Sequence, residues 1–308
     1  MEQGTERELT HRIWVIADLQ YPELAARCME TAIKDIRGTG VTFDQIWHLG
    51  DASTSRFDGD PLDSPEVTLL REMDVPVRFT MGNHDVDQIC KADNDSVPMY
   101  DAVTAIPDWR TSPSLDALYF TEELGDFRVV FLPDHVDPAG RWCAHHGENR
   151  HGDPSLYPHD ESAYEALRAE LASDERPVIL AGHNAFPGGN RPADLQAQLL
   201  PLPPQVRLHL HGHGHIGDEQ RLDGHAYRTI AYVEDQPIPQ LDVASLEDRR
   251  NGTIRSAVLE LYDDQWCRVL FRDHHGRAWL EAYWQSPATP TGNDTLTDRN
   301  WTREADGR

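Results

Sequence analysis

The stretch that decides the fold is RIWVIADLQ, residues 12–20. Its first six residues are mostly apolar, which is typical of a strand buried inside a sheet. The pattern then stops at Asp18 and Gln20, where a carboxylate and an amide stand in place of ordinary turn residues. Because ligands in open α/β sheets gather at the carboxyl ends of strands, we expect Asp18 and Gln20 to belong to a binding site.

Apolar runs recur along the chain, with amphipathic stretches between the early ones, and this alternation indicates an α/β fold. Strands are predicted over 12–17, 44–49, 76–81, 127–132, 177–181, 205–211, 226–233, 254–262, 266–272 and 277–284. Helices are predicted over 23–37, over 65–73 with Ser64 as the N-cap, and from a capping box at Ser162 to about residue 172. Asp263-Asp264 predicts a hairpin turn between two late strands.

Three segments show neither the strand pattern nor the helical periodicity. Residues 86–116 and 134–160 are polar and are predicted as loop or cap insertions, and residues 286–308 as a mobile tail. We found no internal repeat, so a single domain over 1–285 is predicted. The histidines of 134–160 are interpreted as residues of a solvated loop, with a substrate cap as the alternative: His135, His145, His146, His151 and His159. Packing is the first interpretation of Tyr100, Trp109 and Arg110, and base stacking or phosphate binding the second.

The composition narrows the function classes. Acidic residues number 53 against 28 basic ones, a net charge of -25, which disfavours sequence-independent binding of nucleic acid. No run approaches the ~18 apolar residues of a membrane span, so no membrane association is expected. The polar N-terminus lacks the plan of a secretion signal, and the four cysteines form no C-x-x-C pair. We therefore expect free thiols and a cytoplasmic protein.

Five predicted strand exits carry residues that bind metal ions. They are D18-L-Q20, G50-D51, G82-N83-H84-D85, G182-H183 and H211-G-H213-G-H215. Each motif alone is a weak signal, since Gly-Asp or Gly-His at a strand end is usually a turn. If the strands are parallel neighbours, however, the carboxylates, imidazoles and amides meet at one place.

This order of motifs resembles that of the calcineurin-like metallophosphoesterase superfamily, which reads D-x-H, G-D, G-N-H-[DE], G-H and G-H-x-H. The resemblance covers residues 12 to about 233. It implies a four-layer α/β/β/α sandwich, in which two packed mixed β-sheets are flanked by helices. It also implies a site for two divalent metal ions at one edge.

The resemblance further implies a role for each motif residue. For the first ion, the implied ligands are Asp18, Gln20, Asp51 and His215. For the second ion, they are Asp51, Asn83, His183 and His213. His84 would face the substrate, oriented by Asp85, and Asn83 would also donate a hydrogen bond to the phosphate. His211 follows a β alternation, so it is interpreted as a residue packed in or behind the site, with a direct contact to the site as the alternative.

Gln20 is the departure, because most members have histidine at this position. A glutamine carbonyl is a neutral, hard oxygen ligand, which shifts the preference toward Mn²⁺ or Mg²⁺, with Fe and Zn²⁺ as alternatives. Asp-x-Gln followed by Tyr21 resembles the branch of manganese-dependent ADP-ribose/CDP-alcohol diphosphatases. The competing interpretation is a degenerate site that has lost its first ion.

The expected enzyme is a metal-dependent phosphoesterase acting on a small phosphodiester, a nucleoside diphosphate derivative or a phosphomonoester. A hydroxide that bridges the two ions attacks phosphorus in line. His84 protonates the leaving group as an imidazolium, a form that Asp85 would favour. The alternatives are a nuclease or protein phosphatase of the same superfamily, or a non-catalytic scaffold.

Overall fold

Two six-stranded β-sheets organise the chain. The computed structural model describes residues 7–85, 98–114, 117–132, 161–189, 194–215, 220–222, 225–227, 229–243, 245–249 and 252–285. The strands are β1 (Leu9–Ile16), β2 (Gln45–His48), β3 (Val77–Phe79), β4 (Phe120–Leu124), β5 (Phe127–Leu132), β6 (Val178–Gly182), β7 (Val206–His211), β8 (Gln220–Leu222), β9 (His225–Tyr227), β10 (Ile230–Tyr232), β11 (Pro239–Asp242), β12 (Arg255–Tyr262), β13 (Cys267–Asp273) and β14 (Ala278–Gln285). The helices are α1 (Pro22–Gly38), α2 (Pro65–Arg71), α3 (Pro98–Ala105), α4 (Glu161–Leu171) and α5 (Asp194–Gln198), with short 3-10 helices at Ser53–Arg56 and Pro61–Asp63.

Parallel strands form one side of the first sheet and the centre of the second. The first sheet has the order β14-β13-β12-β1-β2-β3, in which β1, β2 and β3 run parallel. The second has the order β10-β11-β7-β6-β5-β4, in which β5, β6, β7 and β11 run parallel. Because parallel strands end at the same edge of a sheet, the loops after β1, β2 and β3 are neighbours, and so are those after β6, β7 and β11.

The two sheets pack face to face. Their inner faces form one apolar core, in which Trp47 of β2 meets Phe131 of β5 edge-on at 5.1 Å between ring centroids. The outer face of the first sheet is covered by α1, α2 and α3, and that of the second by α4. This is the predicted four-layer α/β/β/α sandwich, and the fold prediction is confirmed.

Most predicted elements are present close to their expected bounds. The predicted helix over 23–37 is α1, and α2 begins as expected, with the Ser64 side chain accepting from the Val67 amide. The hairpin turn at Asp263-Asp264 joins β12 to β13. The side chain of Ser162, the start of the predicted capping box, is not described. Residues 134–160 and 286–308 also lie outside the described residues. The single domain with its insertions and tail therefore stays a prediction.

Several elements differ from the sequence prediction. The predicted strand 226–233 is two strands, β9 and β10, which pair with different partners. The strands β4, β8 and β11 and the helix α5 were not predicted, because their sequences (FTEEL, QRL, PQLD and DLQAQ) mix polar and apolar residues without a clear apolar run. Residues 86–116 were predicted as a loop or cap insertion; α3 lies within them and packs Met99, Ala102 and Val103 into the apolar cluster between the first sheet and its helices.

A buried polar network ties α1 to the first sheet. Asp35 accepts two hydrogen bonds from Arg272, both at 2.8 Å, and one from His274 Nδ1 at 2.9 Å. Trp14 donates to the Ser256 hydroxyl, which in turn lies 2.8 Å from His274 Nε2 and donates to it. Burial alone would raise the pKa of Asp35, but the hydrogen bonds from Arg272 and His274 lower it to about 2.

We predict that Asp35→Asn lowers the free energy of unfolding by about 3 kcal/mol at pH 7, because it leaves the buried Arg272 without a counter-charge. The folded-state pKa of Asp35 lies below its unfolded value of about 3.9, so its contribution is complete above that value. The contribution is lost as the pH falls through about 2. Urea unfolding across this pH range tests this, with the exposed Glu30→Gln on the same helix as the matched control. Equal stabilities of the two variants at pH 7 would contradict the assignment.

Candidate metal centre

The loops that follow the parallel strands hold an unusual backbone. Four non-glycine residues have left-handed φ angles: Asp18 at 59°, Asp51 at 60°, His213 at 65° and His215 at 58°. A positive φ is uncommon outside glycine, and it persists only where the surrounding structure enforces it. Three separate loops therefore accept backbone strain, and all four residues belong to the predicted ligand set.

Glycines let the loops approach Asp51 closely. A Cβ on Gly82 would lie 2.5 Å from Asp51 Oδ1 and 2.9 Å from His183 Cε1. Gly50 has a φ of +89°, and a Cβ there would lie 2.6 Å from the Gly82 amide nitrogen. Side chains cannot be accommodated at either position, which explains why both predicted motifs begin with glycine.

One group of candidate ligands surrounds His183. Its Nε2 lies 3.3 Å from Asp51 Oδ2, 3.1 Å from Asn83 Oδ1 and 3.2 Å from His213 Nδ1. Its Nδ1 lies 2.8 Å from the Leu49 carbonyl oxygen, which can only accept a hydrogen bond. Nδ1 of His183 therefore carries the proton, and the lone pair of Nε2 faces the other candidate ligand atoms.

A second group shares Asp51 with the first. His215 Nε2 lies 3.2 Å from Asp18 Oδ1, and the Gln20 amide nitrogen lies 2.7 Å from Asp51 Oδ2 and 2.9 Å from His215 Nε2. Asp18 Oδ1 and Gln20 Oε1 are buried and, among the described residues, accept no hydrogen bond. A half-turn of the Gln20 amide exchanges its oxygen and nitrogen, which places Oε1 beside Asp51 and His215.

The charges of the site favour a bound cation. Burial raises the pKa of Asp18 well above its usual value, and the nearby Asp51 carboxylate raises it further. Burial acts in the same direction on Asp51, and positive charge on His183 and His84 would hold its pKa well below the usual range, a role that a bound cation takes when these imidazoles are neutral. Two buried carboxylates, two orphaned oxygens and a converging set of imidazole lone pairs are the donors that divalent ions take. The residues fit two ions that share Asp51, and the two ligand groups are Asp51-His183-His213 and Asp18-Asp51-His215.

His84 sits beside Asp51 and is held by Arg56. Its backbone amide donates to Asp51 Oδ1 at 2.8 Å, and its Nε2 lies 3.9 Å from Asp51 Oδ2. Arg56 Nη2 lies 2.8 Å from His84 Nδ1, and because a guanidinium can only donate, Nδ1 accepts. The imidazole proton therefore lies on Nε2, on the side of the site.

Asp85 was expected to orient His84, and the structure places it elsewhere. Its carboxylate accepts from the Asp51 amide at 2.8 Å, the Ala52 amide at 3.0 Å, the Gly82 amide at 2.7 Å and the Ser55 hydroxyl at 2.5 Å. The residue that contacts His84 Nδ1 is Arg56, not Asp85. Asp85 thus fixes the backbone that presents Asp51, and burial together with the Asp51 charge raises the pKa of Asp85 to about 6.

A segment after β11 completes the site and was not predicted. The Ser245 hydroxyl donates to the Asp18 carbonyl at 2.9 Å, and the Leu246 amide donates to the Ala17 carbonyl at 3.1 Å. Fully buried Glu247 follows, with Oε1 3.7 Å from His215 Nδ1. A carboxylate on the non-ligating nitrogen is the usual partner of a metal-binding histidine. The sequence carries only a weak signal for it, a Ser-Leu-Glu after a short apolar stretch.

The other candidate residues lie away from the ligands or outside the described residues. His211 is buried with Nδ1 2.9 Å from the Gly212 carbonyl, and burial lowers its pKa to about 4, so it is a neutral packed residue. Tyr100 and Trp109 pack in the apolar cluster between the first sheet and its helices, as the first interpretation expected, while Arg110 is exposed. The five histidines of 134–160 are not among the described residues.

Comparison with known proteins identifies the class. Residues 11–217 match the family model of the calcineurin-like phosphoesterases. The chain belongs to this family and is a metal-dependent phosphoesterase, a hydrolase of a family that binds two divalent metal ions and acts on phosphorylated substrates. No curated protein matches the chain.

Solved structures share the fold at low identity. A dimetal phosphatase from Danio rerio is 16% identical with a TM-score of 0.56, over 86% of this chain and 96% of that one. The purple acid phosphatase PPD1 from yellow lupin is 12% identical with a TM-score of 0.50, over 93% of this chain and 56% of that one. In the described part of the chain, no helix has the length and apolar character needed to span a membrane.

We predict that Glu247→Gln weakens metal binding by about 10–100-fold, because His215 loses the charged partner of its second nitrogen. Calorimetric titration of the metal-free protein with Mn²⁺ measures the affinity directly. Glu234→Gln, which removes the same charge from an exposed position, is the matched control and is expected to bind like the unaltered protein. Equal affinities of the two variants would contradict a role for Glu247 at the metal centre.

Proposed function

We propose that the chain is a binuclear phosphohydrolase that cleaves a small phosphodiester, a nucleoside diphosphate derivative or a phosphomonoester. The observation that carries the proposal is the position of Asp51, whose buried carboxylate belongs to both ligand groups. The first ion would be held by Asp18, Gln20, Asp51 and His215. The second would be held by Asp51, Asn83, His183 and His213.

Manganese is the proposed metal, because the ligand set has four oxygen-donor side chains, includes no thiolate and has an amide where most members have imidazole. The Asp-x-Gln motif with Tyr21 supports the same choice and supports nucleoside diphosphate derivatives among the substrates. A cytoplasmic location is proposed because Cys28 and Cys267 are buried free thiols, which are typical of proteins in a reducing compartment.

The chain's own residues bind and orient the reacting group. The divalent ions that the two ligand groups would hold would supply Lewis-acid activation of the phosphoryl group and a nucleophile at neutral pH. Asn83, whose Oδ1 lies 3.1 Å from His183 Nε2, and His84, whose Nε2 lies 3.9 Å from Asp51 Oδ2, would donate hydrogen bonds to phosphoryl or leaving-group oxygens. Asp85 keeps the Asp51 loop fixed by accepting from its amides.

The proposed role of His84 as a general acid depends on Arg56. Proton transfer from Nε2 needs an imidazolium, in which Nδ1 is protonated as well. While the Arg56 guanidinium donates to Nδ1, His84 instead stabilises negative charge as a neutral hydrogen-bond donor. General acid catalysis therefore requires Arg56 to leave Nδ1 when substrate binds.

The direct experiment is a hydrolysis screen with Mn²⁺, followed by Mg²⁺, Zn²⁺ and Fe²⁺. The substrates are bis-nitrophenyl phosphate, nitrophenyl phosphate, ADP-ribose, CDP-choline, cyclic nucleotides, a single-stranded oligonucleotide and a phosphopeptide. We expect turnover of small compounds that is abolished by chelator and restored by Mn²⁺. Turnover of the oligonucleotide or the phosphopeptide alone would favour a nuclease or a protein phosphatase. Inactivity with every metal and substrate would contradict the proposal and favour a scaffold.

Asp51→Asn tests the shared ligand. Because one carboxylate oxygen serves both groups, we expect bound Mn²⁺ to fall from about two ions per chain to fewer than one. Elemental analysis after gel filtration gives the stoichiometry. Asp74→Asn is the matched control, since Asp74 is exposed and also has a left-handed φ, of 54°. Two ions retained in Asp51→Asn would rule out the shared position.

A further inference from the structure

Two arginines meet on one tyrosine at the rim of the metal centre. The Cζ atom of Arg249 lies 4.1 Å from the centroid of the Tyr21 ring, and that of Arg56 lies 5.2 Å from it. Tyr21 and Arg56 are partly exposed, and Arg249 is exposed. We refer to these three residues as the rim cluster.

The residues of the rim cluster are neighbours of residues of the metal centre, either in the sequence or through a direct contact. Tyr21 directly follows Gln20, whose amide contacts Asp51 and His215. Arg56 contacts His84, and Arg249 is two residues beyond Glu247 in the segment that closes the site. A group bound to the guanidiniums is therefore next to a phosphoryl group bound at the metal centre.

The two guanidiniums lack carboxylate partners in the part of the chain that the structure describes. Asp248 precedes Arg249 but is held by Arg27 through contacts of 2.6 and 2.7 Å. In a chain with a net charge of -25, two arginines beside the metal centre without carboxylate partners among the described residues are unexpected unless they have a role there. They supply positive charge beside the candidate metal ligands.

The contact of Arg249 with the Tyr21 ring does not engage its N–H donors in a conventional hydrogen bond. A guanidinium that lies over an aromatic ring uses its face, while its N–H donors point outward in its own plane. The edge formed by these donors matches the two oxygens of a phosphoryl, phosphonate or carboxylate group. The ring also restricts the side chain, so less conformational entropy is lost when an anion binds.

We propose that Arg249 and Arg56 form an anion subsite that binds a second charged group of the ligand, while the first occupies the metal centre. The inference rests on the proposed function for the position of the first group. The class of ligand it selects carries two anionic groups on neighbouring atoms or separated by a short linker. Compounds with one such group engage the metal centre alone.

Calorimetry with two non-hydrolysable probes tests the subsite. Methylphosphonate carries one anionic group and methylenediphosphonate carries two, and both are titrated into the Mn²⁺-loaded protein. We expect the unaltered protein to bind the diphosphonate more tightly, and Arg249→Ala to reduce that preference by about tenfold, as loss of a charge-assisted contact does. The same preference in Arg249→Ala as in the unaltered protein would overturn the proposal.

Arg7→Ala is the matched control. Arg7 also lies over an aromatic ring, with Cζ 3.9 Å from the Trp266 centroid, but it precedes the start of β1, whereas the metal centre follows its end. It is expected to keep the preference for the diphosphonate. Calorimetry measures binding and not turnover, so the two proposals can fail separately. If the protein is inactive but Arg249→Ala loses the diphosphonate preference, hydrolysis is contradicted and the anion subsite is supported. An active protein in which Arg249→Ala keeps that preference contradicts the subsite alone.

Discussion

The shared carboxylate of Asp51 is the constraint on which the rest of the site depends. One side chain has to face two ligand groups at once, so its backbone adopts a left-handed φ of 60° and glycines flank it at positions 50 and 82. Asp85 fixes the Asp51 amide, and the His84 amide fixes Oδ1, which leaves Oδ2 for the ligand groups. A buried carboxylate in such a position is stable only when positive charge meets it.

The two sheets supply the rigidity that this arrangement needs. Parallel strands of the first sheet deliver Asp18, Asp51 and Asn83, and those of the second deliver His183, His213 and His215. The apolar core between the sheets fixes one edge against the other, so the strained loops cannot relax independently. The segment that carries Ser245 and Glu247 lies beyond the region that matches the family model, yet it closes the same site.

The α/β alternation and the metal-binding residue types at the strand exits could be predicted from local patterns, whereas the four layers and the proposed ligand roles were implied by the resemblance to the family. Apolar runs that end in Gly-Asp or Gly-His identify a strand and its exit together, as at Gly50 and Gly182. The sequence could not predict contacts that depend on tertiary packing. Arg56 on His84 and Glu247 beside His215 join residues 28 and 32 positions apart, with no motif to connect them. The adjacent pair His84-Asp85 suggested a contact, but the carboxylate instead accepts from backbone amides of another loop.

The central claim is that two ions lie on either side of Asp51, one of them beside an amide oxygen. Anomalous diffraction from crystals grown with Mn²⁺ tests it most directly, because the scattering locates each ion independently of the protein model. The account predicts two peaks, both in contact with Asp51, with Gln20 Oε1 turned toward the one near His215. A single peak near His183, with the Gln20 amide nitrogen still donating to Asp51, would contradict it.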